Sequence, residues 1–321
     1  MNKARIIFMG TPEFAVPSLD ILIKNGFDVC AVITAPDKPA GRGRKLSESA
    51  IKAYALANSI PVLQPTNLKD PEFINDLKKL NADLQVVVAF RMLPESIWAM
   101  PKLGTFNLHA SILPQYRGAA PINWAIINGE TETGVTTFFL NKDIDTGSII
   151  FQEKVKIHKN ETAGELHDTL MLNGAQLVLK TVNSIISGEF RLTEQTLNKE
   201  EIKLLKTAPK IYKEDTHINW DMPAKNILNR INGLSPYPAA YTMIKSAEMD
   251  PIQLKIFESE IIIRDHQFEI GKIICDGKSK MEIACAGGMI LLRDVQLSGK
   301  KRMKIEEFLR GFTIKEGSIA Q

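Results

Sequence analysis

The sequence predicts an α/β protein in which a mostly parallel sheet is followed by a small β-barrel. Three observations carry this. A strand, a helix and a second strand follow one another within the first 33 residues, and such a βαβ unit joins parallel strands. Leu84 to Phe90 is a near-continuous apolar run of the kind found in strands buried on both faces. Beyond residue 211 helix-length patterns thin out, and short strands alternate with turn signals, which suits a small barrel. With 321 residues the chain favours two domains over one large core. The boundaries expected are 1–188, a charged irregular linker over 189–211, and 212–321.

Arg5 to Met9 forms the first strand and runs into Gly10-Thr11-Pro12. Thr11 can cap the next helix and Pro12 suits its first turn, while Asn25-Gly26 ends it. Val29 to Ile33 is the second strand. The turn is of the Rossmann class but lacks the G-x-G-x-x-G of dinucleotide sites. Ala35 to Leu46 follows, and its prolines and glycines argue against regular structure. Lys38, Arg42, Arg44 and Lys45 make it strongly basic, which fits either a solvated loop or an arm that meets phosphates. Helices follow over 47–58, capped by Ser47, and 71–80.

After the strand Leu84 to Phe90, the stretch Leu103 to Pro121 forms the next strand and its turn. In an extended strand positions i and i+2 share a face, so Asn107 and His109 project side by side. An amide donor beside an imidazole suits acyl transfer, since one steadies a developing oxyanion and the other moves a proton. Pro121 to Asn128 is a short helix. Val135 to Leu140 and Ser148 to Ile157 make a hairpin around the polar turn Asn141 to Gly147. Thr162 to Ile186 is a long helix ended by Ser187-Gly188. Past the linker come a short helix from Ala224 to Ile231 and strands over 240–245, 252–263, 271–275, 281–284 and 289–296.

Composition narrows the functional classes. No apolar run approaches the roughly 20 residues that span a bilayer, and a strand pattern begins too early to leave room for a signal segment. Three cysteines without metal-ligand spacing fit a reducing compartment, so a cytoplasmic protein with no membrane partner is expected. The formal charge is +3. Basic and acidic residues balance at 22 each through Leu205, whereas 18 basic and 15 acidic residues follow it. The excess therefore lies in the C-terminal part, where it is compatible with a nucleic-acid partner without requiring one.

Taken together, Asn107-x-His109-x-Ser111-x-Leu113-Pro114-x-x-Arg117-Gly118 and the later Asp145-x-Gly147 are a far more specific pattern than any of their residues. The combination resembles the folate-dependent formyltransferase family, which moves a formyl group from 10-formyltetrahydrofolate to an amine. The resemblance implies a Rossmann-type catalytic domain and an oligonucleotide-binding (OB)-like barrel. It implies catalytic roles for Asn107, His109 and Asp145, with Asp145 orienting the imidazole, and no need of a metal. It also implies folate contacts at Ser111, Ile112, Leu113, Pro114 and Phe90. Gly10 to Ala15, the basic segment 38–46, Gly118 to Trp124, Ile218-Asn219-Trp220 and Pro236 to Ala240 look like the branch that acts on initiator methionyl-tRNA. With such an acceptor, the placement of basic residues predicts that Lys38, Arg42, Arg44 and Lys45 meet the acceptor stem and that Lys206, Lys210, Lys213 and Lys300 to Lys304 contact the tRNA backbone; a monomer is expected. The alternatives are another amine acceptor, such as glycinamide ribonucleotide or an amino sugar, and a non-catalytic nucleic-acid-binding relative. Arg91 departs from the family, which has Gly after the aromatic residue at the folate wall. Either this side chain turns outward or the pocket differs there.

Overall fold

The computed structural model describes residues 4–40, 45–246 and 249–321. They fall into two compact units: Met1–Gly118 with Glu132–Lys156 and His167–Thr207, and Ala119–Thr131 with Ile157–Leu166 and Ala208–Gln321.

The first unit is built on a seven-stranded sheet. Its strands are β1 Arg5–Gly10, β2 Asp28–Ile33, β3 Val62–Leu63, β4 Leu84–Val88, β5 Thr105–His109, β6 Glu132–Phe139 and β7 Ile149–Lys156. The order across the sheet is β7-β6-β5-β4-β1-β2-β3. Pairs among β1 to β5 are parallel, while β5–β6 and β6–β7 are antiparallel. Ile6 to Met9 are fully buried, as are Val86 and Val88. That explains the unbroken apolar runs: a central parallel strand has no solvent face on which to alternate. Because β1, β4 and β5 run in parallel, the loops after them leave from one edge of the sheet, the usual place for a site in open α/β folds.

Helix starts differ from the sequence reading. The first helix runs Val16–Lys24 after a short 3₁₀ turn over Glu13–Ala15, so Thr11 does not cap it. The second runs Ala50–Ala57, and its cap is Ser49, whose hydroxyl accepts from the Lys52 N–H; Ser47 instead ends a strand. In both cases several small polar residues compete for the cap, and only the path of the preceding chain chooses. The basic segment is not wholly irregular either. Lys38–Ala40 pairs antiparallel with Lys45–Ser47. Arg42 and Arg44 lie outside the described residues.

The second unit holds the barrel: β8 Ala240–Ser246, β9 Met249–Ile262, β10 Ile273–Cys275, β11 Met281–Cys285, β12 Gly288–Leu297, β13 Met303–Lys304 and β14 Ile319–Ala320. They lie in the order β10-β11-β12-β9-β8-β14, with β13 against β12. Ile319 also bridges Lys272, beside the start of β10, which brings the two ends together. Inside are Leu254, Ile256, Ile290 and Leu292, covered by Ile227 and Ile231 of the helix Ala224–Leu234. The helix Ile305–Gly311 is missing from the sequence reading. Its seven residues bury only Ile305, Phe308 and Leu309, too few turns for a period to stand out. The expected linker also carries a helix, Lys199–Lys203, closed by a capping box between Asn198 and Glu201. None of the described helices is long and apolar enough to cross a membrane.

Candidate active site

Asn107 and His109 stand two residues apart on β5, as the strand period requires. They differ in what holds them. The His109 ring is almost fully buried, and its Nε2 donates to the Tyr116 carbonyl oxygen at 2.9 Å. Nδ1 faces the Asp145 carboxylate at 3.7 Å, an ion-pair separation rather than a hydrogen bond. The imidazole is therefore flanked by two oxygens that can only accept. A ring that takes up a second proton would present an N–H to each. Asn107 is half-buried, and its side-chain amide has no hydrogen-bond partner among the described residues. A half-buried, unengaged donor beside a held imidazole is an arrangement that can stabilise charge forming on a carbonyl oxygen.

Asp145 is placed by its own backbone and by three other residues. It sits at φ +54°, in the left-handed region that Asp tolerates better than most residues. One carboxylate oxygen accepts from the Gly118 N–H at 2.9 Å. Gly118 has φ +127°, open to glycine and costly for other residues. Two residues on, a Cβ at Gly147 would lie 1.7 Å from the Phe139 carbonyl oxygen, so only glycine lets the turn close against β6. Asp143, on the same polar turn, is exposed and takes no part in the cluster.

Gln195 completes this arrangement, and the sequence reading missed it. Its amide nitrogen donates to the carbonyl oxygens of Asp145 at 3.1 Å and Gly147 at 2.8 Å. Its amide oxygen accepts from the Arg117 guanidinium at 2.7 Å. Burial draws the Arg117 guanidinium below its usual pKa, opposed by the nearby Asp145 charge. Gln195 falls in a stretch with no periodicity and no motif, so nothing local marks it. Lys206 is similar: the sequence offered only its charge, read as a tRNA contact, yet its carbonyl accepts from the Tyr116 N–H at 2.6 Å and its N–H donates to the Gln115 side chain.

The residues expected around folate divide in two. Ser111 is fully buried and donates its hydroxyl to the Gln115 carbonyl oxygen at 2.6 Å. Leu113 packs against Phe138 and Ile149. The turn is tied further by Thr136, whose hydroxyl donates to the Ser111 carbonyl and accepts from the Leu113 N–H, and by Gln152, which donates to the Leu113 carbonyl. Ser111 and Leu113 thus fix the loop, while Ile112, Pro114 and Phe90 are half-buried and keep apolar surface. An apolar edge beside a polar pair fits a flat ring system with a reactive end. Arg91 lies over the Phe90 ring at 5.3 Å and donates to the carbonyls of Pro65 and Thr66. The guanidinium is thereby engaged with the neighbouring loop.

Of the expected tRNA contacts, Lys38, Lys206, Lys210 and Lys213 are exposed. Arg302 and Lys304 are paired with Asp294, and Lys304 also with Glu258, so these two are less available than their sequence cluster implies. Lys300 and Lys301 remain exposed.

Residues 4–182 match the model of the formyl transferase family and residues 210–313 that of the formyl transferase C-terminal domain. The methionyl-tRNA formyltransferase of Flavobacterium johnsoniae is 54% identical over 316 residues, 98% of this chain and 98% of that protein. That of Bacteroides thetaiotaomicron is 51% identical over 316 residues, 98% and 97% of the two chains. Among solved structures, the N-formyltransferase from Helicobacter canadensis, in complex with folinic acid and dTDP-3-aminofucose, is similar with a TM-score of 0.63 and 23% identity. That match covers 90% of this chain and 98% of the other. HypX from Aquifex aeolicus in complex with tetrahydrofolic acid gives a TM-score of 0.63 at 15% identity, covering 96% of this chain and 47% of that one. At these identities the two structures speak for the fold.

Proposed function

This chain belongs to the formyl transferase family, and from that premise we propose how its residues carry the reaction. It transfers the formyl group of 10-formyltetrahydrofolate to the α-amino group of methionyl-tRNA, a step of translation initiation. The observation that carries the assignment of the site is the unengaged Asn107 amide beside a His109 ring held between Tyr116 and Asp145.

10-Formyltetrahydrofolate supplies a formyl carbon carried on N10, whose lone pair is shared with the adjoining aryl ring, which leaves the formyl carbon open to attack. As the amine attacks, negative charge grows on the formyl oxygen, and Asn107 donates to it. The attacking nitrogen loses a proton to His109, which is held between two oxygen acceptors; the tetrahedral intermediate then collapses with cleavage of the formyl C–N10 bond, and His109 returns the proton to N10 so that tetrahydrofolate leaves. Asp145 is a positioning residue for the imidazole. Phe90, Ile112 and Pro114 provide the apolar surface for folate, while Ser111 and Leu113 hold that surface in place.

For the tRNA we assign phosphate contacts to Lys38, Arg42, Arg44 and Lys45 and to Lys206, Lys210 and Lys213, with the initiator species as acceptor. Residues 1–188 form the catalytic domain, 189–211 the connection and 212–321 the OB-like RNA-binding domain. The chain works as a monomer in the cytoplasm. The deciding experiment supplies labelled 10-formyltetrahydrofolate with methionyl-tRNA and, in parallel, with glycinamide ribonucleotide. Label on methionyl-tRNA alone is the expected result; label on glycinamide ribonucleotide alone would overturn it.

A further inference from the structure

The unit that contains the barrel carries a groove of about 480 Å³ that the chemistry at His109 does not use. Lys210, Lys213 and Lys255 line it together with Tyr212, Tyr237 and Tyr241, and no carboxylate side chain lines it among the described residues. Three cations without an anion make an attractive potential for phosphate. The tyrosines are not equivalent. Tyr241 lies against the His217 ring at 5.0 Å, and Lys210 stands over Tyr212 at 5.2 Å. Tyr237 has no ring or cation partner among the described residues and is 83% exposed. Lys255 donates to the Pro238 carbonyl at 3.1 Å, which leaves two of its three N–H groups free to serve an anion.

A bare aromatic ring beside clustered lysines is how proteins hold unpaired nucleotides: the base stacks on the ring and the backbone follows the cations. A paired RNA stem cannot use such a ring, because its base faces are already stacked within the helix. The groove volume lies in the range that encloses one small ligand, roughly 300–1,000 Å³, and not a duplex. We infer that this groove takes one unpaired nucleotide of the tRNA, with its base on Tyr237 and its phosphates on Lys210 and Lys213. The inference rests on the tRNA reading above and adds which part of the RNA is read.

The test measures binding of the full-length protein to a tRNA transcript and to a blunt, fully paired RNA duplex at one fixed salt concentration. Tyr237→Ala is expected to weaken tRNA binding about tenfold and to leave duplex binding unchanged. Tyr237→Phe keeps the ring and is expected to bind tRNA as the parent does. Three results would each overturn the inference: tRNA affinity of the Ala variant within twofold of the parent, an equal loss on both RNAs, or a Phe variant as weak as the Ala variant. Formylation of methionyl-tRNA by the parent protein is scored separately, so failure of the activity and failure of the groove are distinguishable.

Discussion

Around His109 the polar groups other than the Asn107 amide are engaged before any substrate arrives, whereas around Tyr237 the ring and the Lys210 and Lys213 side chains are exposed. The imidazole, the Asp145 carboxylate, the Gln195 amide and the Arg117 guanidinium hold one another through bonds that mostly end on backbone. In the groove the lysines and Tyr237 sit on long or exposed side chains with few partners. The difference suits the tasks proposed for the two regions. Stabilising a short-lived charge needs donors that do not have to reorganise, while gripping a polyanion tolerates movement because phosphate attraction is long-ranged and non-directional. Substitutions in the first region should act on turnover, and substitutions in the second on affinity and its salt dependence.

The largest expected effects lie at the held pair. Asn107→Ala and His109→Ala should each lower kcat by about 10² to 10⁴ while folate affinity, measured by titration, changes only a few-fold. Near-normal kcat in either variant would mean the pair is not the catalytic device. Next comes Gly147→Ala, whose added carbon meets the Phe139 carbonyl oxygen; a loss of about 3 kcal/mol in urea unfolding is expected. The matching change in the barrel unit, Gly277→Ala, meets open space and is strained only by its φ of +70°, and should cost only about 1 kcal/mol. Equal costs at the two glycines would erase the contrast between packed turn and open surface.

Gln195→Ala removes two donors from the Asp145 turn, and we expect a kcat about tenfold lower with the folate KM unchanged. Made on an Asp145→Ala background, it should add little, because both act through the same imidazole; full additivity would refute the positioning role. The smallest effects belong to the basic residues. Lys213→Ala should reduce the salt slope of tRNA binding by about one and leave kcat alone. Replacing Arg42 and Arg44 together should flatten it by about two, and an unchanged slope would return that segment to a solvated surface.

How legible each part was depended on whether its signal is local. The βαβ start, the buried strand β4 and the shared face of Asn107 and His109 follow from periodicities of a few residues, and the structure has them. The site motif also carried Asp145 and the glycine after it, which a Cβ clash with β6 now explains. Caps such as Ser49 in place of Ser47, the pairing at the ends of the basic segment and the helix Ile305–Gly311 were missed. Each is decided by a neighbour far along the chain or by too few residues to show a period.

The sequence by itself determined the two-part architecture, the strand that presents Asn107 and His109, and the family to which the motifs point. Apolar period and glycine placement act over a few residues, so they survive being read as a string. Only the tertiary structure decided that Gln195 holds the Asp145 turn, that Arg91 is engaged with Pro65 and Thr66, and that Ser111 and Leu113 support their loop. It alone gathered Tyr237 with Lys210, Lys213 and Lys255. Hydrogen bonds and ring contacts between residues tens of positions apart leave no pattern in the order of amino acids, since any residue with the right donor can supply them once the fold brings it near.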